Sequence, residues 1–230
     1  GAWRAYHRLH AGTQSAGAKN VTEAMVEILV GYLLGSVSGS LLLGRIKKID
    51  IRTRGSGNAG GTNALRHLGF RFALGVIIID VGKGVLAAGW APNMLGDAPS
   101  WQALACGFAA VFGHCYPVFH GFRGGKGAAT AVGVLAATQP WLLVPLAITW
   151  VLTLVLTGYV GLATVLAMLS LLPAALWLGE STHVLIFTAA LGLFIAFTHR
   201  SNFRNLAAGT EHRFERVRLV NWFRRSDGQD

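Results

Sequence analysis

The chain has 230 residues, of which 53% are apolar and only 13% charged, with twenty Lys and Arg against ten acids for a formal net charge of +10. A soluble nucleic-acid binder spreads its cations over one face and has no need of apolar runs about 20 residues long, so the composition excludes that class and points to a lipid-embedded helical bundle. Cys106 and Cys115 stand in or beside apolar sequence, form no metal-ligand pattern and give no redox signal.

Residues 1–20 are polar, glycine-rich and aperiodic; they are expected to form an arm outside the membrane, in part appended sequence, with Met25 a candidate native start. Apolar runs follow at 21–44, 70–90, 101–119, 128–138, 141–156, 160–178 and 184–198, the fourth being short. They predict an all-α integral membrane protein with seven transmembrane helices, whose membrane domain covers 21–213. Residues 214–230 alternate cations with Val217, Leu219, Trp222 and Phe223, as suits a basic amphipathic tail lying on the membrane surface.

Charge alternates between the connecting segments. Residues 45–71 hold seven Lys or Arg and one acid, and 119–126 and 199–225 are also basic, whereas 91–100, the turn at Gln139 and 178–183 hold two acids and no Lys or Arg. The bias of Lys and Arg toward the cytoplasm therefore predicts an N-terminus outside and a C-terminus inside. Within the second run, Asp80 and Lys83 are three apart and share a helix face; ionisable groups at that depth are costly, and the expectation is a buttressing pair.

Three polar, glycine-bearing blocks interrupt this apolar pattern. The first, RGSGNAGGTNALR at 54–66, offers Ser56, Asn58, Thr62 and Asn63 as uncharged donors to phosphoryl oxygens and glycerol-like hydroxyls, with Gly57 among the glycines that allow close backbone approach and Arg66 as the cation. Its GxGxxG spacing follows no strand, which removes the dinucleotide-binding reading. The second, GHCYPVFHGFRGGKGAAT at 113–130, places Gly124, Gly125 and Lys126 before a helical segment, where backbone N–H groups and an ammonium can hold an anion. In the third, THRSNFRNLAAGTEHR at 198–213, His199, Arg200 and Asn202 stand where the last run leaves the bilayer. The plainer readings are a flexible loop rich in turn formers for the first, a connecting loop whose Arg123 and Lys126 mark the cytoplasmic side for the second, and a basic interfacial end for the third.

Taken together and in this order, the blocks at 55–66, 113–130 and 199–213 resemble those of the bacterial acyl-phosphate:glycerol-3-phosphate acyltransferases of the PlsY type, over residues 25–213. The resemblance implies a seven-helix protein of the bacterial inner membrane with a cytoplasmic active site. It also implies transfer of a fatty acyl group from acyl phosphate to the 1-hydroxyl of sn-glycerol 3-phosphate, giving lysophosphatidic acid and phosphate. The functional neighbour would be the enzyme that makes acyl phosphate; nucleic acid is not an expected partner, and neither a cofactor nor a metal is expected. Ser56, Arg66, Lys126, His199 and Asn202 match family positions around the phosphoryl groups. Thr164 falls where the family has Ser, in a block, GYVGLAT, that departs from the family pattern at Gly158 and Gly161.

Two dianionic substrates call for cations and N–H donors, and an acyl phosphate already carries a good leaving group, so orientation and electrostatic stabilisation matter more than a strong base. Direct transfer without an acyl-enzyme is the expectation, and the resemblance implies a substrate-assisted route in which a phosphate oxygen takes the hydroxyl proton; His199 is then either a general base or, as preferred here, a donor to phosphate or oxyanion. The rival is a transporter of a phosphorylated metabolite, which would place its site near the bilayer midplane on broken helices; here the candidate residues gather at one face.

Overall fold

The computed structural model describes residues 20–215, so nearly all of the expected arm and tail lies outside the described residues. Every regular element among the described residues is helical. We number the α-helices α1 (Val21–Gly35), α2 (Gly39–Ile46), α3 (Gly61–Leu68), α4 (Phe70–Gly89), α5 (Ser100–Cys115), α6 (Ala128–Thr138), α7 (Leu143–Thr157), α8 (Val160–Leu169), α9 (Leu171–Leu178), α10 (Thr182–Thr198) and α11 (Arg200–Ala207). Asn20 opens α1 with a capping box, its side chain accepting from the Glu23 N–H while Glu23 reaches back to the Asn20 N–H.

Four helical stretches, 70–93, 100–120, 140–157 and 160–178, are long and apolar enough to cross a membrane. Two more candidates are broken pairs: α1 and α2 bend by 46°, α10 and α11 by 52°. The run at 21–44 is thus not one straight helix. It stops at Ser36, Val37 and Ser38, where a Ser36 hydroxyl bonds back to the Tyr32 carbonyl at 2.9 Å and competes with the helix ladder. The run at 160–178 is also jointed at Ser170, because Pro173 has no N–H to give and its ring crowds the carbonyl of Leu169. α6 has 11 residues, about 17 Å at 1.5 Å per residue, well short of a hydrocarbon core of about 30 Å. Among the described residues there are six candidate spans if each broken pair is one, and the expected seventh would be this short helix.

Small residues set the helix spacing. α1 packs along α5 and α4 along α6. A Cβ at Gly35 would collide with the Ala110 carbonyl oxygen of α5, and one at Gly133 with the Val81 carbonyl oxygen of α4. Where hydrocarbon supplies no hydrophobic drive between helices, such close backbone contact is what holds them. Val134, Leu135, Leu142, Met168, Leu191 and Ile195 fill the centre, and α7 keeps Val144, Ile148, Val151, Leu152 and Leu156 on the outside as a lipid face.

The segments at 47–60, 116–127, 157–159 and 199–215 meet at one end of this bundle. Arg52 donates to the carbonyls of His120 and Arg123, Thr198 to that of Lys126, and Arg213 to that of Thr157. At the opposite end, buried Glu27 accepts from the Leu95 N–H at 2.8 Å and from Gln102. Gly133→Val is expected to force α4 from α6 and cost about 1–3 kcal/mol, read as a lower thermal midpoint in detergent. An unchanged midpoint would show that this contact does not set the spacing.

Candidate active site

A cavity of about 860 Å³ opens at the end of the bundle where the three blocks converge. Ser56, Asn58, Thr62, Asn63, Arg66, Lys126, Thr164, His199 and Asn202 line it; Gly57, Gly124, Gly125 and Arg200 do not. One wall is polar. The other, from Ile77, Val81, Val132, Leu146, Trp150 and Met168, is largely apolar and runs between the helices.

The first block folds as a turn leading into α3, and Asn63 organises it. Its buried amide donates to the carbonyls of Ile51 (3.3 Å), Arg54 (3.0 Å) and Asn58 (3.0 Å), and its oxygen accepts from the Ser56 N–H at 3.4 Å. Asn63 therefore shapes the loop, its amide taken up by the loop's own backbone groups. Gly57 also turns the chain, at φ 70°, with its N–H given to the Arg54 carbonyl. Ser56 is exposed at the cavity mouth, and its hydroxyl bonds no histidine among the described residues. Arg66 is half-buried over the Phe214 ring at 4.8 Å, and its buried Nε has no hydrogen-bond partner.

In the second block the expected anion-holding glycines act differently. Gly124 and Gly125 donate their N–H groups to the carbonyls of Cys115 and His114, both at 3.1 Å, so neither is free for phosphate. Glycine is required because a Cβ at 124 would collide with the His114 carbonyl and one at 125 with the His114 ring. These contacts turn the chain back so that Lys126 points into the cavity just before α6.

Lys126 is clasped by the third block. Its Nζ donates to Ser201 Oγ at 3.1 Å and to Asn202 Oδ1, and Asn202 Nδ2 donates to Glu211 Oε1 at 2.7 Å. Asn202 thus positions the lysine, with Glu211 behind it; Gly161 makes room, since a Cβ there would press on the Asn202 side chain. Arg200 faces away, exposed, with its guanidinium on the Phe197 carbonyl and ring. Thr164 accepts from the Trp150 indole at 3.2 Å and donates to the Val160 carbonyl at 2.9 Å.

His199 follows the end of α10. Its Nδ1 lies 2.8 Å from the Ile195 carbonyl, which can only accept, so Nδ1 carries the hydrogen. Burial, with Lys126 nearby, holds this imidazole down to about 4. A neutral ring with Nδ1–H committed offers a lone pair at Nε2. In this state Nε2 can accept a hydrogen bond and has no hydrogen to give, which suits a base or acceptor better than a donor to phosphate.

Sequence reasoning passed over His67, Ser201, Asn205, Thr210 and Trp150, all on the cavity wall. His67 stands four after Asn63 on α3, a spacing that shares a face, and an indole N–H inside an apolar run needs an acceptor. Among the described residues no three His, Cys, Asp or Glu side chains are grouped to hold a metal ion.

Burial, with Arg200 and Arg66 near, pushes Lys126 below the ordinary lysine value although Glu211 acts the other way. The charged form is favoured again once an anion sits against it. If the ammonium is the working form, kcat/KM falls on the alkaline side at lower pH than an ordinary lysine would give, and the limb of kcat lies higher because bound phosphate restores the proton. Lys126→Ala is expected to abolish turnover in a folded protein. Lys126→Arg should recover a small fraction and lose the alkaline limb, since a guanidinium stays charged but presents a fork in place of a compact ammonium. Near-normal activity of the alanine variant would remove Lys126 from the chemistry.

A family model described as glycerol-3-phosphate acyltransferase matches residues 25–209. Glycerol-3-phosphate acyltransferase from Halalkalibacterium halodurans is 41% identical over 194 residues, covering 82% of this chain and 94% of the relative. That from Aquifex aeolicus is 37% identical, covering 84% of this chain and all of the relative. Crystal structures of PlsY, an integral membrane glycerol 3-phosphate acyltransferase, are similar in fold. The glycerol 3-phosphate form gives a TM-score of 0.77 at 37% identity over 83% of this chain and 95% of that one, and the lysophosphatidic acid form a TM-score of 0.75 at 36% identity.

Proposed function

This chain belongs to the glycerol-3-phosphate acyltransferase family, and on that premise we propose that it moves a fatty acyl group from acyl phosphate to the 1-hydroxyl of sn-glycerol 3-phosphate. The observation that carries the reading is the cavity's division into a cationic wall, with Arg66 and Lys126, and an apolar arm between helices. The cationic wall suits two phosphoryl groups and the apolar arm one acyl chain.

The cavity residues support direct attack. The glycerol 3-phosphate C1 oxygen forms a bond to the acyl carbonyl carbon, the bond from that carbon to the phosphate oxygen breaks, and inorganic phosphate leaves with the electron pair. His199 Nε2 accepts from the glycerol 2-hydroxyl and so holds the glycerol in place; an imidazole held near 4 is a weak base, so the proton of the attacking 1-hydroxyl passes to a phosphate oxygen. Lys126 and Arg66 stabilise the charge gathering on the leaving phosphate, and Ser56 and Thr62 at the rim meet phosphoryl or glycerol oxygens. No serine, threonine or cysteine among the described cavity residues has the histidine partner that would activate it, which disfavours an acyl-enzyme.

With α6 counted as a seventh span, the Lys and Arg bias supports a cavity on the cytoplasmic face of a bacterial cell membrane and an N-terminus outside. An acyl phosphate donor reaches such a site from a neighbouring enzyme that makes it. The transporter reading is weakened by a cavity that opens at one end of the bundle.

Purified protein in lipid vesicles, given acyl phosphate and glycerol 3-phosphate, is expected to release one phosphate per lysophosphatidic acid formed. Initial rates should give intersecting double-reciprocal lines, as for two substrates bound together. Uptake of glycerol 3-phosphate without chemistry would favour a transporter, and parallel lines would favour a covalent intermediate.

A further inference from the structure

A second recess, of about 360 Å³, lies against the outside of the cavity loops and shares no lining residue with the main cavity. Leu41, Arg45, Lys48 and Ile49 form one side, and Asp50, Arg52 and His120 the other. Asp50 is held by Arg52, with Nη2 to Oδ2 at 2.8 Å and Nε to Oδ1 at 3.0 Å. The guanidinium beside it keeps Asp50 ionised, so the carboxylate's charge is spent on Arg52. Among the described residues Arg45 and Lys48 have no carboxylate partner, and the recess is left with an uncompensated double positive charge.

Its depth in the bundle narrows the ligand. Arg45 is in the last turn of α2, where the first broken span ends, and His120 closes the span of 100–120. Both mark the level at which hydrocarbon gives way to headgroups. Large apolar side chains next in sequence to the lining residues are exposed: Ile46, beside Arg45, is 76% exposed and Phe119, beside His120, 55%, and Leu42 and Val118 are exposed as well. A soluble phosphorylated metabolite would use the cations and leave that apolar rim idle. A lipid with an anionic headgroup would use both, its phosphate between Arg45 and Lys48 and its chains along Ile46 and Phe119.

We propose that this recess binds the headgroup of an anionic phospholipid from the surrounding membrane. Such a lipid would sit beside Arg52, whose Nη1 donates to the carbonyls of His120 (3.1 Å) and Arg123 (3.3 Å). It would thereby brace the turn that opens the first block against the loop that delivers Lys126, without touching the reacting groups.

The test is native mass spectrometry of the detergent-purified full chain titrated with phosphatidylglycerol or phosphatidylcholine, a readout independent of any acyl transfer. Phosphatidylglycerol should bind preferentially. Arg45→Gln with Lys48→Gln should weaken it about fivefold per cation lost, roughly twenty-five-fold in all, while Arg204→Gln, the loss of one cation elsewhere on the basic face, should leave it unaltered. Equal binding of the two lipids, or a double variant that binds phosphatidylglycerol as wild type does, would overturn the proposal. So would displacement of phosphatidylglycerol by inorganic phosphate at equal concentration, which would show that the site takes phosphate and gains nothing from the lipid. Should the double variant fail to fold, Arg45→Gln alone carries the same fivefold expectation.

Discussion

A broken helix inside apolar surroundings leaves N–H and C=O groups that lipid cannot satisfy, and in this chain one buried set of charges answers them. Lys83 Nζ donates to the carbonyls of Gly35 (2.8 Å) and Val37 (2.6 Å) at the end of α1, and Asp80 Oδ1 accepts from the Gly39 N–H (3.1 Å) at the start of α2. The two side chains lie 3.2 Å apart, and His114 joins them, its Nδ1 at 2.9 Å from Lys83 Nζ. The bend they stabilise carries α2, with the first block behind it. The His114 carbonyl and ring also seat Gly125, next to Lys126. Losing either charge of such a pair costs about 3–5 kcal/mol by stranding the other, so two of the three blocks depend on it.

The cavity beyond that knot uses charge sparingly. Arg66 and Lys126 face it from different blocks, and one carboxylate, Glu211, reaches Lys126 only through Asn202. That arrangement holds the ammonium in one place while leaving it able to meet an anion. The hydroxyls are committed elsewhere or unactivated, and the imidazole is a neutral acceptor. Positioning of an already activated donor is the chemistry such a site can supply.

Much of this was legible in the chain. Segregation of cations from apolar runs marked the membrane and the end at which the site lies, and the pairing of Asp80 with Lys83 followed from a three-residue spacing. Features set by partners distant in sequence were not legible. The break at 36–38 depends on Lys83 and Asp80, more than 40 residues away, and the run reads as continuous because Ser and Gly do not interrupt its hydropathy. The N–H groups of Gly124 and Gly125 looked available because their acceptors lie in the last turns of α5. The His199 tautomer is decided by the Ile195 carbonyl, and the task of Asn63 by three carbonyls of a loop whose shape the sequence leaves open.

Direct transfer is the claim on which the account turns, and intact-protein mass spectrometry after incubation with acyl phosphate alone tests it most simply. With glycerol 3-phosphate absent, wild-type protein should keep its unmodified mass, because no side chain accepts the acyl group. A stoichiometric acyl adduct that disappears when glycerol 3-phosphate is added would contradict it.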